Sequence, residues 1–362
     1  MLRRVIFIFL LLVSSLSSKE LNLKVDEVLN GFDLIWSIAF IDEDRLIINE
    51  KDGDIFLHDF KKNQTTKIKN SFDILHKGQG GLLDVQVSPN YKKDKWLYFT
   101  YVKDINSQGA TTLIRAKLKG SMLIELQELL VSKSRTNTSA HFGSRITFDN
   151  KGHVFFSIGD RGLRNNSQNL NNHAGTIIRL NMDGSTPKDN PFINNPDALD
   201  EVYSYGHRNP QGIFFDEQKN RLFAIEHGPR GGDEINLIKK GANYGWPIIS
   251  FGKEYWSPLS VGEGTHKEGM ENPLKVYIPS IAPSSLLVYS GKLFKEFKGN
   301  LFSGALKLRH LNRIVLNENG EPLKEVRYLE DLGERIRDII ESPKGYIFIS
   351  TDSGKVLKLS LR

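Results

Sequence analysis

The sequence predicts an all-β fold, a six-bladed β-propeller with long functional loops on one face. Three observations carry this: a hairpin phrase recurs six times, the copies are spaced at about one blade length, and the two β-rich ends can pair with each other. Each copy is a short alternating apolar run, an Asp or Pro corner, a polar turn and a second β run. The copies are Ile38 to Asp42 before Arg45 to Ile48, Val85 to Pro89 before Trp96 to Phe99, Ile146 to Asp149 before His153 to Phe156, and Ile213 to Asp216 before Arg221 to Ala224. The sixth is Ile339 to Pro343 before Tyr346 to Ile349, and the fifth, Leu287 to Ser290 before Asn300 to Ser303, is looser.

Copies starting at 38, 85, 146, 213, 287 and 339 lie 47, 61, 67, 74 and 52 residues apart. A four-stranded blade takes about 40–50 residues, so each interval holds one blade plus a loop excursion. A β-sandwich, the alternative all-β arrangement, does not call for one hairpin phrase repeated six times. A ring loses its free sheet edges only if its ends meet, so residues 20–30 are expected to pair with Lys355 to Leu361. Length alone, 362 residues, suggests two domains. The repeat reduces this to a single domain over residues 19–362.

At the N-terminus, Arg3 and Arg4 precede the apolar run Val5 to Val13, and Ser14, Ser15, Ser17 and Ser18 follow. This is the pattern of a secretory leader, residues 1–18, and the run is too short to span a bilayer as a helix. The expected location is secreted or periplasmic, with no stable membrane insertion after cleavage. The chain has no cysteine, which excludes disulfide frameworks, thiolate metal sites and cysteine nucleophiles. Any metal must use oxygen or imidazole ligands. A net charge of +6 spread over the chain gives no nucleic-acid signal.

Residues 160–200 and 228–280 lack the repeat and are rich in Gly, Asn, Asp and Pro. They read as ordered loops on one face, where function concentrates. The densest polar string runs from Tyr205 to Gly212. Arg208 offers a planar fork for a carboxylate, Asn209 and Gln211 offer neutral donors and acceptors, and Pro210 stiffens the turn. A charged blade corner is the plainer account, but it needs fewer hydrogen-bonding side chains. A second string, Glu226 to Asn236 followed by Gly241 to Pro247, holds Asp233, Glu234, Asn236, Asn243 and glycine-flanked carbonyls. These are hard oxygen donors of the kind calcium takes, although the string lacks EF-hand spacing and glycine-turn chemistry alone could account for it. His141, between a polar loop and a strand, could be a general base or one of nine structural histidines. Arg335 and Arg337 stand at strand period two and suit a multiply charged anion, or are exposed arginines partnered by Asp338. Lys307 and Gln79 are single signals of the same kind.

Together these strings resemble the soluble pyrroloquinoline quinone (PQQ)-dependent sugar dehydrogenases, the glucose/sorbosone dehydrogenase family that includes the aldose sugar dehydrogenases. The matching landmarks run in order from about residue 30 to 355: Gly78 to Leu83, His141 with Gly143 and Arg145, Gly159 with Asp160, Gly206 to Gly212, His227 to Asn236, Asn243 to Pro247, and Arg335 to Asp338. The resemblance implies a six-bladed propeller oxidising the anomeric carbon of aldoses to lactones, with electrons passed to an external acceptor. It makes His141 the base that takes the C1 hydroxyl proton, with Arg208 as a second catalytic residue. Arg208, Asn209 and Gln211 would contact PQQ together with Lys307, Arg335 and Arg337, while Gln79 and Asp160 would line the sugar side. It implies a calcium ion on the carbonyls of Gly228 and Pro229, and a second, structural one served by Glu234 and Tyr244. The partners implied are a small sugar and the acceptor, for a monomer or homodimer.

The chain departs from the glucose-oxidising members at Ile278, where they tend to have a large aromatic, and in its shorter loops. Both features look more like the broader-specificity aldose dehydrogenases. Two other readings of the scaffold stand beside this one. A calcium-dependent lactonase-type hydrolase would need no cation cluster, and a non-catalytic carbohydrate- or protein-binding propeller would take up no cofactor.

Overall fold

The computed structural model describes residues 23–149 and 151–361, so the expected leader, residues 1–18, lies outside the described residues. The described residues form six four-stranded antiparallel sheets arranged as a six-bladed β-propeller. From the innermost strand outward, blade 1 is Ile35–Phe40, Arg45–Glu50, Ile55–Asp59 and Gln64–Ile68, and blade 2 is Leu82–Val87, Trp96–Ile105, Gln108–Lys119 and Met122–Val131. Blade 3 is Ile146–Phe148, His153–Ile158, Thr176–Asn181 and Val202–Tyr205, and blade 4 is Pro210–Asp216, Arg221–Glu226, Asp233–Ile238 and Lys275–Tyr277. Blade 5 is Leu287–Val288, Leu301–Gly304, Leu311–Leu316 and Pro322–Tyr328. Blade 6 combines Ile336–Glu341, Ile347–Thr351 and Val356–Leu361 with the N-terminal strand Leu23–Leu29.

The hairpin phrase thus marks the two inner strands of every blade. These strands are apolar because each sheet is covered on both faces by its neighbours, as Ile47, Leu82 and Phe99 are between blades 1 and 2 and Phe302, Ile339 and Ile349 are between blades 5 and 6. A side chain of this kind contributes about 1.5–3 kcal/mol when fully buried. Outer strands such as Gln64–Ile68 keep exposed polar faces. Closure is the expected one: Leu23 pairs with Leu361, Val25 with Leu359 and Glu27 with Leu357, so the ring is sealed by its two ends.

The stretches 160–200 and 228–280 are less loop-like than expected. Thr176–Asn181, Asp233–Ile238 and Lys275–Tyr277 are third or fourth strands of blades 3 and 4. The hairpin phrase covers only inner strands, so these outer ones carry no copy of it. Residues 182–185 turn at the end of the ring where Gly152 joins the inner strands of blade 3, whereas 160–175 and 228–232, which link second to third strands, lie at the opposite end, with the turns that precede the innermost strands.

Candidate functional site

At that end a cavity of about 320 Å³ opens on the ring axis, walled by residues that immediately precede or begin innermost strands, among them Trp36, Leu83, Gly143, Gln211 and Arg337. His141 stands beside it, with Phe142 and Gly143 on the wall. Its φ is +56°, an unfavourable conformation held by the hydrogen bond from its N–H to Gln79 Oε1 at 2.7 Å. Gly159 lies beneath it, and a Cβ there would collide with the His141 carbonyl. Nδ1–H of His141 donates to Asp160 Oδ1 at 2.6 Å, which leaves Nε2 as the ring's free acceptor.

Asp160, expected to line the sugar side, is placed behind His141 against its Nδ1, away from the free Nε2. Its side chain is buried, Oδ1 also accepts the Gly162 N–H at 2.7 Å, and Oδ2 accepts Trp246 Nε1–H at 2.8 Å. Burial pushes its pKa up, but the hydrogen bond from His141 and the charges of His141 and Arg208 hold it below the ordinary aspartate value. It is a fixed carboxylate that orients the imidazole. Trp246, a partner the sequence reading did not single out, fixes the carboxylate in turn.

The blade 6 side carries the cations. Arg337 donates from Nε to Asp352 Oδ1 at 2.7 Å and from Nη2 to Oδ2 at 2.9 Å. Arg335 reaches Asp352 Oδ2 at 2.7 Å and the Leu306 carbonyl at 2.8 Å. The expected partner, Asp338, is instead buried against Arg145. Lys51, from the turn after the second strand of blade 1, adds a third cation to the wall and donates to the Gly78 carbonyl at 2.5 Å. Burial and the charge of Arg337 push its pKa below the ordinary lysine value. Lys51 and Asp352 were missed because each sits in an ordinary polar turn of the sequence. Lys307 is exposed, and its neighbour Leu306 is the residue on the cavity wall.

Between these sides lies the Arg208–Gln211 segment. Asn209 is buried; its Oδ1 accepts Gly143 N–H at 3.2 Å and Gln211 Nε2–H at 3.3 Å, while its Nδ2 has no partner. A buried donor left unpaired costs about 1–3 kcal/mol unless a ligand takes it. Arg208 lies away from the main cavity. Its guanidinium donates to the His227 carbonyl at 3.2 Å and lies 5.3 Å from the Trp246 ring centre. His227 lines the cavity and donates from Nε2 to the Pro283 carbonyl at 2.7 Å; burial, then the charges of Arg208, His141 and Arg337, push its pKa down to about 3.

A hollow of about 10 Å³, the space of one water or one metal ion, lies next to this segment and is bordered by Gly228, Glu226, Glu234 and Tyr244. Burial and the neighbouring Glu226 push the Glu234 pKa well up, an environment that a cation would relieve. Gly228 must be glycine, since a Cβ would strike the main chain of Gly231 and Gly232. The Tyr244 hydroxyl is already engaged with Leu237 and Lys239, so only its main-chain carbonyl could serve a metal. Asp233, read from sequence as a possible calcium ligand, spends both oxygens on the N–H groups of Gly228 and Ala282. Asn243 likewise ties Gln168 to Gly245.

Residues 32–358 match the family model described as Glucose / Sorbosone dehydrogenase. The chain is 35% identical to aldose sugar dehydrogenase YliI of Escherichia coli, over 97% of this chain and 96% of that one. It is 26% identical to quinoprotein glucose dehydrogenase B of Acinetobacter calcoaceticus, over 82% of this chain and 77% of that one. The crystal structure of the E. coli soluble aldose sugar dehydrogenase in its apo-form superposes with a TM-score of 0.90 at 32% identity, covering 94% of this chain and all of that one. With the family model spanning nearly all the described residues, this chain belongs to the glucose/sorbosone dehydrogenase family.

Proposed function

We propose that this protein oxidises the anomeric carbon of aldoses to lactones with PQQ, assisted by calcium, and passes the electrons to an external acceptor after export to the periplasm or beyond. The observation that carries this reading is the pairing of an oriented base with an anion-binding wall. Arg335 and Arg337 share one carboxylate, Asp352, and Lys51 stands on the same wall, so the wall has surplus positive charge for a ligand bearing several carboxylates. The unpartnered Asn209 Nδ2 is a further donor waiting for an acceptor.

When bound, the quinone supplies the two-electron oxidant. Arg335, Arg337, Lys51 and Asn209 would hold and orient it, and the carbonyls of Gly228 and Pro229 would offer oxygen to calcium. His141 takes the proton of the anomeric hydroxyl at Nε2. Asp160 keeps the other ring nitrogen protonated and stabilises the imidazolium that forms. Glu234 and the Tyr244 carbonyl would serve a second calcium beside the hollow. The other partners in this reading are a small sugar and the acceptor, with no nucleic acid, for a monomer or homodimer.

The test is reconstitution of purified apo-protein with PQQ and calcium, followed by aldoses and an artificial electron acceptor. Dye reduction that needs both additions supports the reading. An apo-protein that binds no quinone overturns it, and lactone opening without quinone would favour the hydrolase.

A further inference from the structure

Below the cavity the innermost strands present one layer of residues at the same height: Ser37, Asp84, Arg145, Gly212 and Asp338. In four of the blades a β-bulge marks this height, between Ile35 and Ser37, Leu82 and Val85, Pro210 and Gly212, and Ile336 and Asp338. Only one side chain in the layer is long enough to cross the axis. Arg145 of blade 3 is 3% exposed, and its guanidinium reaches every other blade. Nη1 meets Asp84 of blade 2 at 3.2 Å and Asp338 of blade 6 at 3.0 Å. Nε donates to the carbonyls of Gln211, in blade 4, at 3.1 Å and Ser284, entering blade 5, at 3.3 Å. Nη2 donates to the carbonyls of Arg337 at 2.8 Å, Ser284 at 3.2 Å and Trp36, in blade 1, at 3.4 Å. The guanidinium also lies 4.1 Å from the Trp36 ring centre.

The two carboxylates brace the same layer. Asp84 accepts the N–H groups of Val85 and Ile146, and Asp338 accepts those of Ile339 and Ile38. On one side, Trp36, Gln211 and Arg337 line the large cavity. On the other, Ile213 and Ile339, with Arg145 itself, line a second axial cavity of about 280 Å³. The layer is therefore a partition, and one arginine is its centre.

We propose that Arg145 is a positioning residue for the cofactor site: it ties the main chains of Trp36, Gln211 and Arg337 to one guanidinium and closes the axis beneath them. The functional half of this rests on reading the upper cavity as the cofactor site. Lysine in place of arginine keeps the charge but loses the planar five-donor fork, so several of the carbonyls would lose their donor.

The experiment uses the full-length Arg145→Lys protein, with Leu180→Ala as a control that destabilises the buried interior of the same blade away from the axis. In amide hydrogen exchange, Arg145→Lys is expected to speed exchange together in Ile35–Phe40, Leu82–Val87, Pro210–Asp216 and Ile336–Glu341, whereas Leu180→Ala acts in blade 3 and in the blade 2 strands that share its core, Trp96–Ile105 and Gln108–Lys119. Titration of apo-protein with PQQ, followed by tryptophan fluorescence well below both melting temperatures, is expected to show affinity weakened about tenfold or more in Arg145→Lys and unchanged in the control. Asp338→Asn should move both readouts the same way by less, and it stands in if the lysine variant does not fold. Faster exchange confined to blade 3 overturns the cross-blade tie. Concerted exchange with unaltered PQQ affinity overturns the positioning role. Failure of the wild type to bind PQQ overturns the cofactor reading alone, and the exchange arm still decides whether Arg145 ties the ring.

Discussion

Blades 3 and 6 face each other across the axis and contribute two differently built walls. On the blade 3 side His141, Asp160, Trp246 and Gln79 form a chain in which the Asp160 oxygens and His141 Nδ1 are all engaged, leaving the imidazole Nε2 as the group free to act. On the blade 6 side two arginines converge on one carboxylate, and Lys51 of blade 1 adds to the positive excess. The first arrangement fixes one proton-accepting atom at one place. The second leaves charge unbalanced and so attracts a multiply charged anion from any approach. On the proposed function, the first wall governs turnover and the second governs cofactor affinity.

The largest expected effect comes from breaking the first wall. His141→Gln keeps a polar side chain but no usable base, and kcat should fall by about 10²–10⁴ while PQQ affinity stays near the wild-type value. Parallel titration and steady-state measurements check both numbers. An equal loss in affinity would mean that His141 holds cofactor and the division between the walls is wrong. The mirror experiment is Arg337→Gln. It removes two charge-assisted bonds and leaves Asp352 less well neutralised, so PQQ should bind about 10–100-fold more weakly. At saturating cofactor, kcat should change far less.

How much of this contrast was legible in the sequence follows from distance along the chain. The fold was legible because its repeat is local: five copies of the hairpin phrase, such as Ile213 to Ala224, each fit within about a dozen residues, and alternation alone shows two strands and a corner. The blade 3 wall was half legible, since His141 stands in a polar string ahead of a strand. Its partner Asp160 was read as a sugar-side residue, because nothing in sequence tells which way a carboxylate turns when an indole more than eighty positions away takes its second oxygen. The blade 6 wall was half legible too, in Arg335 and Arg337. Lys51 and Asp352 lie about three hundred residues apart in unremarkable turns, and ring closure makes them neighbours. Arg145 stood inside a recognised string, but a reach to five other blades leaves no trace in local spacing.

Lys51 sharpens the comparison at a smaller scale. As a single point charge without a bidentate partner, it contributes through field more than through geometry. Lys51→Met should weaken PQQ binding a few-fold, with the difference shrinking as salt is raised. Calorimetric or fluorescence titrations at low and high ionic strength decide this, and a salt-independent loss would assign Lys51 a direct, desolvated contact instead.

The smallest effect tests the anchor of the second wall, Asp352, through stability. Burial raises its pKa, yet the charge and hydrogen bonds of Arg337 and Arg335 outweigh burial and hold it below the ordinary aspartate value. A depressed carboxylate stabilises the fold above its unfolded pKa, near 3.9, and that contribution is lost as pH falls through the lower folded value. Asp352→Asn should therefore lower stability at pH 7 by about 1 kcal/mol, since the ion pairs are only partly shielded from water. The gap should persist to about pH 4 and close below it, when wild-type Asp352 is protonated as well. Thermal unfolding of both proteins from pH 7 down to pH 2.5 measures the gap directly. A gap that stays constant across that range would mean Asp352 acts through packing and neutral hydrogen bonds, and the blade 6 wall would then owe its order to something other than charge.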